Sequence, residues 1–236
     1  MSVIELHNLR YRWQGQPHDT LAIDSLCVVQ GEHLFIRGAS GSGKTTLLNL
    51  LAGILAPASG HLHLLGQALH TMKPAARDRF RADHMGVIFQ QFNLLPYLSV
   101  RENVQLPCHF SARRKQRAGD VQGATERLLE HLGLDKSLWQ RAVTELSVGQ
   151  QQRVAVARAL IGSPEILIAD EPTSALDTDT RDGFLELLFR EAQVQGSTII
   201  FVSHDPHIAS HFPRVVDLSS VNQPNIDLTT PLPVSQ

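Results

Sequence analysis

Short apolar runs rich in β-branched and aromatic residues alternate with stretches of helical periodicity along this chain. Apolar runs of about 4–8 residues bounded by polar or turn residues are typical of strands. They predict strands at residues 3–9, 21–29, 33–37, 61–65, 85–89, 165–169, 198–202 and 215–218. The two earliest strands precede any helix and predict an antiparallel edge sheet. The later strands alternate with helices and predict a parallel sheet.

Apolar positions at helical spacing predict a helix over residues 47–55, directly after a glycine-rich turn. Three further helices are predicted around residues 128–132, 154–161 and 184–188, each followed by a glycine that favours its end. Strand signals are missing between residues 90 and 147, which we interpret as a helical insertion.

Composition limits the class of protein. The chain has 236 residues, 42% of them hydrophobic and 19% charged, and a formal net charge of -2. These values fit one large globular domain and argue against a strongly basic nucleic-acid-binding protein. The two cysteines imply no disulfide framework, no apolar run reaches the ~20 residues that span a bilayer, and no secretory pattern opens the chain. We therefore expect a cytoplasmic chain whose membrane role, if it has one, comes from a partner.

A glycine-rich segment between a predicted strand and helix matches the phosphate-binding P-loop pattern. Its members are Gly38, Ala39, Ser40, Gly41, Ser42, Gly43, Lys44, Thr45 and Thr46. Backbone N–H groups and the helix N-terminus can bind phosphate oxygens, the lysine supplies a positive charge, and the Thr45 hydroxyl can ligate Mg²⁺. The alternative is an ordinary glycine turn before a helix, which this strand and helix context makes the weaker interpretation.

Two acidic residues, Asp170 and Glu171, follow an apolar strand. Ligands of open α/β sheets bind at the carboxyl ends of strands, so Asp170 is placed to hold Mg²⁺ and Glu171 to accept a proton from water. Taken alone, the pair could equally be polar residues at a strand end. Together with the upstream P-loop, it favours catalysis.

The segment Leu146-Ser-Val-Gly-Gln150 resembles the Leu-Ser-Gly-Gly-Gln signature of ATP-binding cassette (ABC) ATPases. Further family marks occur in the expected order over roughly residues 3–218. They are an adenine-stacking aromatic at Trp13 (with Tyr11 as the alternative), the Q-loop glutamine at Gln90 (with Gln91 as the alternative), the D-loop at residues 174–177 and the switch histidine at His204.

This resemblance implies an α/β P-loop NTPase core with a mostly parallel sheet, an N-terminal antiparallel β subdomain and an inserted helical subdomain at about residues 91–150. The ATPase domain would span residues 1–220 and a short tail residues 221–236. ATP and Mg²⁺ are the implied cofactors. The implied catalytic residues are Glu171, His204, Lys44 and Gln90, and the implied metal ligands are Thr45, Gln90 and Asp170.

The resemblance also implies partners. In the family, two subunits form a head-to-tail dimer on ATP, in which Ser147, Gly149 and Gln150 of one subunit reach the nucleotide held by the other. Asp177 would communicate across that interface. A separate membrane permease would hold the chain at the cytoplasmic face of the membrane and receive the energy of hydrolysis.

Residues 92–100 carry several large apolar groups and predict either a surface for the permease or a satellite core under the helical insertion. Two basic clusters, around residues 73–81 and 113–117, are interpreted as solvated helix faces, with contact to anionic lipid headgroups as the lesser alternative. Nucleic-acid binding is not expected.

Residues 90–104 are similar to the lipoprotein-releasing, macrolide-efflux and cell-division group of ABC ATPases, although residues 172–177 are less typical of it. One departure from the signature is Val148, which replaces its first glycine. Two alternatives stay open: a module that signals mechanically through a permease-like partner, and an ABC ATPase that acts without a membrane partner.

Overall fold

A computed structural model describes residues 1–173 and 178–223, with the side chains of residues 178–180 excepted. The strands are β1 (Ser2–Tyr11), β2 (Leu21–Val29), β3 (His33–Arg37), β4 (Ser59–Leu64), β5 (Gln67–Ala68), β6 (Met85–Ile88), β7 (Ile166–Asp170), β8 (Thr198–Ser203) and β9 (Arg214–Asp217). The helices are α1 (Lys44–Leu51), α2 (Pro74–His84), α3 (Val100–Phe110), α4 (Ala112–Ala118), α5 (Val121–His131), α6 (Val148–Leu160), α7 (Thr178–Gln195), α8 (Pro206–Ala209) and α9 (Leu218–Val221). Short 3-10 turns occupy Leu69–Thr71, Lys136–Leu138 and Val143–Glu145.

Two sheets form, as the sequence predicts, but β4 corrects the assignment of one strand. The strand predicted at residues 61–65 follows a helix and was expected in the parallel sheet, whereas β4 pairs antiparallel with β1. The antiparallel sheet has the strand order β2-β1-β4-β5, and the parallel sheet has the order β6-β7-β8-β3-β9. The eight predicted strands agree with the observed bounds to within two residues, whereas the two-residue β5 was not predicted. The P-loop α/β fold with an added antiparallel sheet is confirmed.

The parallel sheet separates two hydrophobic cores. Leu167 and Ala169 of β7 face the core formed with the helical segment, whereas Ile166 and Ile168 face the core formed with α1 and the antiparallel sheet. Successive strand residues point to opposite faces, so a strand buried on both sides reads as an unbroken apolar run. This burial holds the strand ends, and therefore the site, in a fixed register.

The segment between residues 90 and 147 is helical, with α3, α4 and α5 and no strand. Ser99 starts α3 through a capping box, in which its side chain accepts from the Glu102 backbone and the Glu102 side chain accepts from the Ser99 backbone. Of the two interpretations of residues 92–100, the satellite core accounts for Phe92 and Val100, which are buried. Tyr97 is 78% exposed.

The second basic cluster corrects one expectation, because Arg114 is buried and does not lie on a solvated face. Its guanidinium donates to the carbonyl oxygens of Ala159 at 2.6 Å, Ile161 at 2.7 Å and Met85 at 3.1 Å. The first two bonds satisfy carbonyls at and just after the end of α6, where backbone acceptors lack partners within the helix. The third bond reaches the first residue of β6. Burial lowers the pKa of Arg114 to about 10, so the group stays charged at neutral pH. This cation therefore joins the helical segment to the parallel sheet.

Glu165, just before β7, joins three elements. Its carboxylate accepts from Arg113 and Arg117 of α4, each at 2.5 Å, and lies 3.1 Å from the His84 Nδ1 atom of α2. Burial alone would raise the pKa of Glu165, but the hydrogen bonds from His84 and Arg113 outweigh it and lower the pKa to about 2. The ionised carboxylate is therefore stabilised by folding.

No helix in the part of the chain that the structure describes is long and apolar enough to cross a bilayer.

We predict that Glu165→Gln lowers the free energy of unfolding at pH 7 by about 1–3 kcal/mol. A carboxyl whose pKa falls on folding stabilises the folded protein at pH values above its unfolded pKa of 4.5. That contribution is lost as the pH falls from about 4.5 toward 2. Urea unfolding of both proteins at pH 7 and at pH 3.5 measures the difference. Glu186→Gln, on an exposed part of α7, is the control. A difference that does not shrink at the lower pH would contradict this account.

Candidate active site

The P-loop follows β3 and opens α1, as the sequence predicts. Gly41 and Gly43 have φ angles of 78° and 98°, which other residues rarely adopt. A Cβ atom at Gly43 would also lie 2.9 Å from the Leu21 side chain. Glycine is therefore required at position 43 both by backbone conformation and by the close approach of β2.

Lys44 is the buried cation of the loop, with 9% of its surface exposed. Its ammonium donates to the carbonyl oxygens of Gly38 at 2.7 Å and Ala39 at 2.9 Å. The loop thus wraps around the charge it carries. Since an ammonium has three donors, one donor remains beyond these two hydrogen bonds and can turn to an anion.

The acid pair lies at the end of β7. Burial and the neighbouring Glu171 carboxylate raise the pKa of Asp170, while the charge of Lys44 lowers it. Glu171 has a positive φ of 44°, and its N–H donates to the Val202 carbonyl at 2.9 Å. This backbone conformation is unfavourable for a glutamate and persists only when the surrounding structure compensates for its cost. Residues of this kind cluster at functional sites.

Glu171 stands between two other predicted site residues. Its Oε1 atom lies 4.0 Å from the Lys44 Nζ atom and 3.3 Å from the His204 Nδ1 atom. The His204 side chain is 67% exposed and follows β8, which pairs with β7. Glu171 therefore lies close to both the P-loop lysine and the histidine at one edge of the sheet.

One cavity of about 440 Å³ brings most of the predicted residues together. It is lined by Trp13, Thr20, Ser40, Gly41, Gly43, Lys44, Thr45, Thr46, Gln90, Asp170 and Glu171. Gln90 lines it and Gln91 does not, and Trp13 lines it while Tyr11 supports the Trp13 ring from the side at 5.2 Å. The lining of the cavity therefore favours Gln90 over Gln91 and Trp13 over Tyr11.

Sequence reasoning missed Thr20 and Asn222. An adjoining cavity of about 540 Å³ runs from Trp13 past residues 16–20 to Ser42 and Asn222. The Asn222 side chain donates to the Thr20 carbonyl at 3.1 Å and accepts from the Ala22 N–H at 2.7 Å. Asn222 therefore holds the start of β2 against the P-loop, from a position that the sequence assigns to the tail.

The signature residues lie apart from these cavities, at the start of α6. The Ser147 side chain accepts from the Gln150 N–H, and the Gln150 side chain accepts from the Ser147 N–H, which forms a capping box. Val148 is 49% exposed, and a Cβ atom at Gly149 would meet nothing within 4 Å. Ser147, Gly149 and Gln150 do not line either cavity. Asp177 lies outside the described residues.

The donor set at the cavity fits a magnesium ion. Thr45, Gln90 and Asp170 offer a hydroxyl, an amide carbonyl and a carboxylate, and all three line the same space. These are hard oxygen donors of the kind that Mg²⁺ prefers, with room left for phosphate oxygens and water.

Comparisons with known proteins find relatives that match most of the chain. A family model described as ABC transporter matches residues 21–174. The Escherichia coli (strain K12) protein YbbA, an uncharacterized ABC transporter ATP-binding protein, is 42% identical over 220 residues, which cover 92% of this chain and 94% of that protein. YknY of Bacillus subtilis, described in the same words, is 39% identical over 91% of this chain and 92% of that protein.

A third relative is longer. The macrolide export ATP-binding/permease protein MacB of Rhodopirellula baltica is 39% identical over 91% of this chain but only 31% of its own length. Among solved structures, the dimeric post-hydrolysis state of the ATP-binding cassette MJ0796 bound to ADP and Pi superposes with a TM-score of 0.80. It is 32% identical and covers 91% of this chain and 93% of that chain.

We predict that nucleotide binding changes the fluorescence of Trp13, because this 43% exposed ring borders the cavity whereas Trp139 is buried. These are the two tryptophans of the chain. Titration with ATP should change the emission of the wild type and of Trp139→Phe, but not that of Trp13→Phe. A full response in Trp13→Phe would exclude stacking of the base on Trp13.

Proposed function

The chain belongs to the ABC transporter family as an ATP-binding, ATP-hydrolysing subunit, and we propose that it drives a separate membrane permease through a Mg²⁺-dependent dimer. One observation carries the catalytic part of this proposal: a single cavity is lined by the P-loop, Gln90 and both acids. The permease would hold the chain at the cytoplasmic face of the membrane.

The phosphates of ATP would lie in the P-loop, and the base would stack on Trp13. Backbone N–H groups of the loop and the N-terminus of α1 favour an anion there. The Lys44 ammonium, which now donates to two loop carbonyls, would turn its remaining donor to the β- and γ-phosphates. Thr45, Gln90 and Asp170 would hold Mg²⁺, which when bound neutralises charge on the β- and γ-phosphate oxygens.

Glu171 would act as general base toward the attacking water. As the new bond from the water oxygen to the γ-phosphorus forms, the bond to ADP breaks and Glu171 takes the proton. His204, 3.3 Å from Glu171, would hold that carboxylate and the water in line. Gln90 lines the cavity and directly precedes the helical segment. Its contact with the bound Mg²⁺ and γ-phosphate would therefore couple the presence of the nucleotide to the position of that segment.

The distance of the signature from the cavity supports a two-subunit site. Ser147, Gly149 and Gln150 lie at a helix N-terminus, which can bind an anion, yet they do not line the cavity of their own chain. In a head-to-tail dimer each signature would face the γ-phosphate held by the other subunit. Asp177 would contact the other subunit across the same interface. Similarity to a dimeric cassette supports this arrangement.

An apolar groove of about 400 Å³ supports the permease partner. It lies between α1, α2, β6 and α3, and Leu48, Ile54, Phe89, Leu106 and Phe110 line it. Ile54 and Phe110 are 50% and 75% exposed. Because Phe89 immediately precedes Gln90, a permease helix in this groove would lie next to the nucleotide site. The relative named as an ATP-binding/permease protein carries both functions in one chain.

We predict that Glu171→Gln binds ATP and remains a dimer, because the nucleotide is kept while the base is lost. Its ATPase rate should fall at least about 100-fold, and light scattering with Mg-ATP should give the mass of a dimer. Lys44→Ala should lose ATP binding and stay monomeric. Glu186→Gln is the control for removal of a carboxylate. A monomeric Glu171→Gln protein at saturating Mg-ATP would contradict the two-subunit site.

We predict that Val148→Gly changes the ATPase rate by less than about threefold. The Val148 side chain is 49% exposed at the first position of α6 in the single subunit. The groups expected to face the partner's nucleotide belong to Ser147, Gly149 and Gln150, which this substitution leaves in place. Steady-state ATP hydrolysis of both proteins measures this. A rise from almost no activity to robust hydrolysis would show instead that valine disables the signature.

A further inference from the structure

We propose that Asp182, His207 and His211 form a binding site for a divalent transition-metal ion of the zinc class. Among the described residues these are the only three acidic, histidine or cysteine side chains that place their donor atoms within 4.8 Å of one another. The Asp182 Oδ1 atom lies 3.2 Å from the His207 Nε2 atom and 3.5 Å from the His211 Nε2 atom. None of the three belongs to the ATP site described above.

The two distances from Asp182 are compatible with ligands of one tetrahedral ion. Zinc binds imidazole nitrogen and carboxylate oxygen at about 2.0–2.2 Å, so two of its ligands are about 3.3 Å apart. The two distances from Asp182 bracket that value. Two nitrogens and one oxygen leave a fourth position for water, and imidazole with carboxylate is a donor set suited to Zn²⁺ and its transition-metal neighbours rather than Mg²⁺.

The local fold presents the three ligands together. His207 and His211 are four residues apart on α8 and the turn that continues it, so they lie on one side, with ring centroids 5.3 Å apart. Asp205 caps α8 by accepting from the His207 N–H, and it pairs with Arg181 of α7. Because Arg181 directly precedes Asp182, this ion pair holds the carboxylate against α8, and Asp205 balances the nearby positive charge.

The site is open to solvent, with the side chains of His207, Asp182 and His211 exposed by 49%, 39% and 31%. An ion can therefore enter without unfolding. A bound ion would join α7, which follows the predicted D-loop, to α8, which begins two residues after His204. If the proposed function is right, this link restrains His204 and the start of α7 together, and zinc slows ATP turnover.

A second histidine cluster provides the matched control. His61, His63 and His70 have ring centroids 5.0 to 6.3 Å apart, but their donor atoms do not converge as those of Asp182, His207 and His211 do. The His70 Nδ1 atom also lies 3.2 Å from the Leu62 backbone, which engages it. The double variants His207→Gln/His211→Gln and His61→Gln/His63→Gln thus remove equal numbers of imidazoles.

The experiment uses the full chain without a histidine tag and without nucleotide. Zinc is titrated in competition with a chromophoric zinc chelator, and thermal melting is followed with and without zinc. We expect one site in the wild type with an affinity in the micromolar range, a rise in Tm with zinc, and both effects kept in His61→Gln/His63→Gln. His207→Gln/His211→Gln should lose both, while its Tm without zinc shows that it is folded.

Equal zinc binding by His207→Gln/His211→Gln, or loss of binding in the His61→Gln/His63→Gln control, would overturn the site. A separate measurement tests the effect on turnover: with Mg-ATP in excess, zinc should slow the wild type at least about threefold and leave His207→Gln/His211→Gln unchanged. Equal inhibition of both would refute that effect and point to competition at the magnesium position. The binding and melting measurements need no ATPase activity, so they stand even if the proposed function fails.

Discussion

The register of three adjacent parallel strands is the constraint on which the site depends. β8 lies between β3 and β7, with Arg37 paired to Ser203 and Asp170 paired to Val202. The P-loop, Glu171 and His204 are the next residues after these strand ends, so they meet at one edge. A slip of one residue would exchange the two faces of a strand that is buried on both sides. Core burial therefore fixes the geometry of the site.

The charges at this edge are balanced for an anion together with a divalent cation. Lys44 supplies one positive charge, and Asp170 and Glu171 supply two carboxylates, of which the first is disfavoured as an anion by burial and by its neighbour. A nucleotide phosphate alone would add more negative charge to a site already rich in carboxylates. A divalent ion between Asp170 and the phosphates removes that conflict, which is why a P-loop and an acidic strand end occur together.

The sequence predicted those features that depend on the local backbone or on strand order. The glycines of the P-loop and the acids after an apolar strand are examples, and so are the two sheets. It did not predict the burial of Arg114, because a run of basic residues reads as solvated and only tertiary packing brings the carbonyls of α6 to it. Nor could it pair Asn222 with Ala22, since 200 residues separate them. The nucleotide-binding roles of Ser147 and Gln150 and the catalytic role of His204 remain predictions.

Helix α6 connects the signature to both loops that approach the nucleotide site. Its 13 residues span about 20 Å, from the exposed Ser147 cap to the carbonyls that Arg114 holds. Along the way the buried Gln152 side chain donates to the Pro172 carbonyl at 3.0 Å, one residue beyond Glu171.

Near its other end, Arg158 donates to the carbonyls of Phe92 and Asn93, in the loop that follows Gln90. The Gln152 amide is buried, so loss of its partner would cost about 1–3 kcal/mol. The partly buried Arg158 adds two hydrogen bonds, and together these bonds resist independent movement of the loops. A displacement of the signature end of α6 would therefore act on the segments that directly follow Glu171 and Gln90, because one helix is hydrogen-bonded to both.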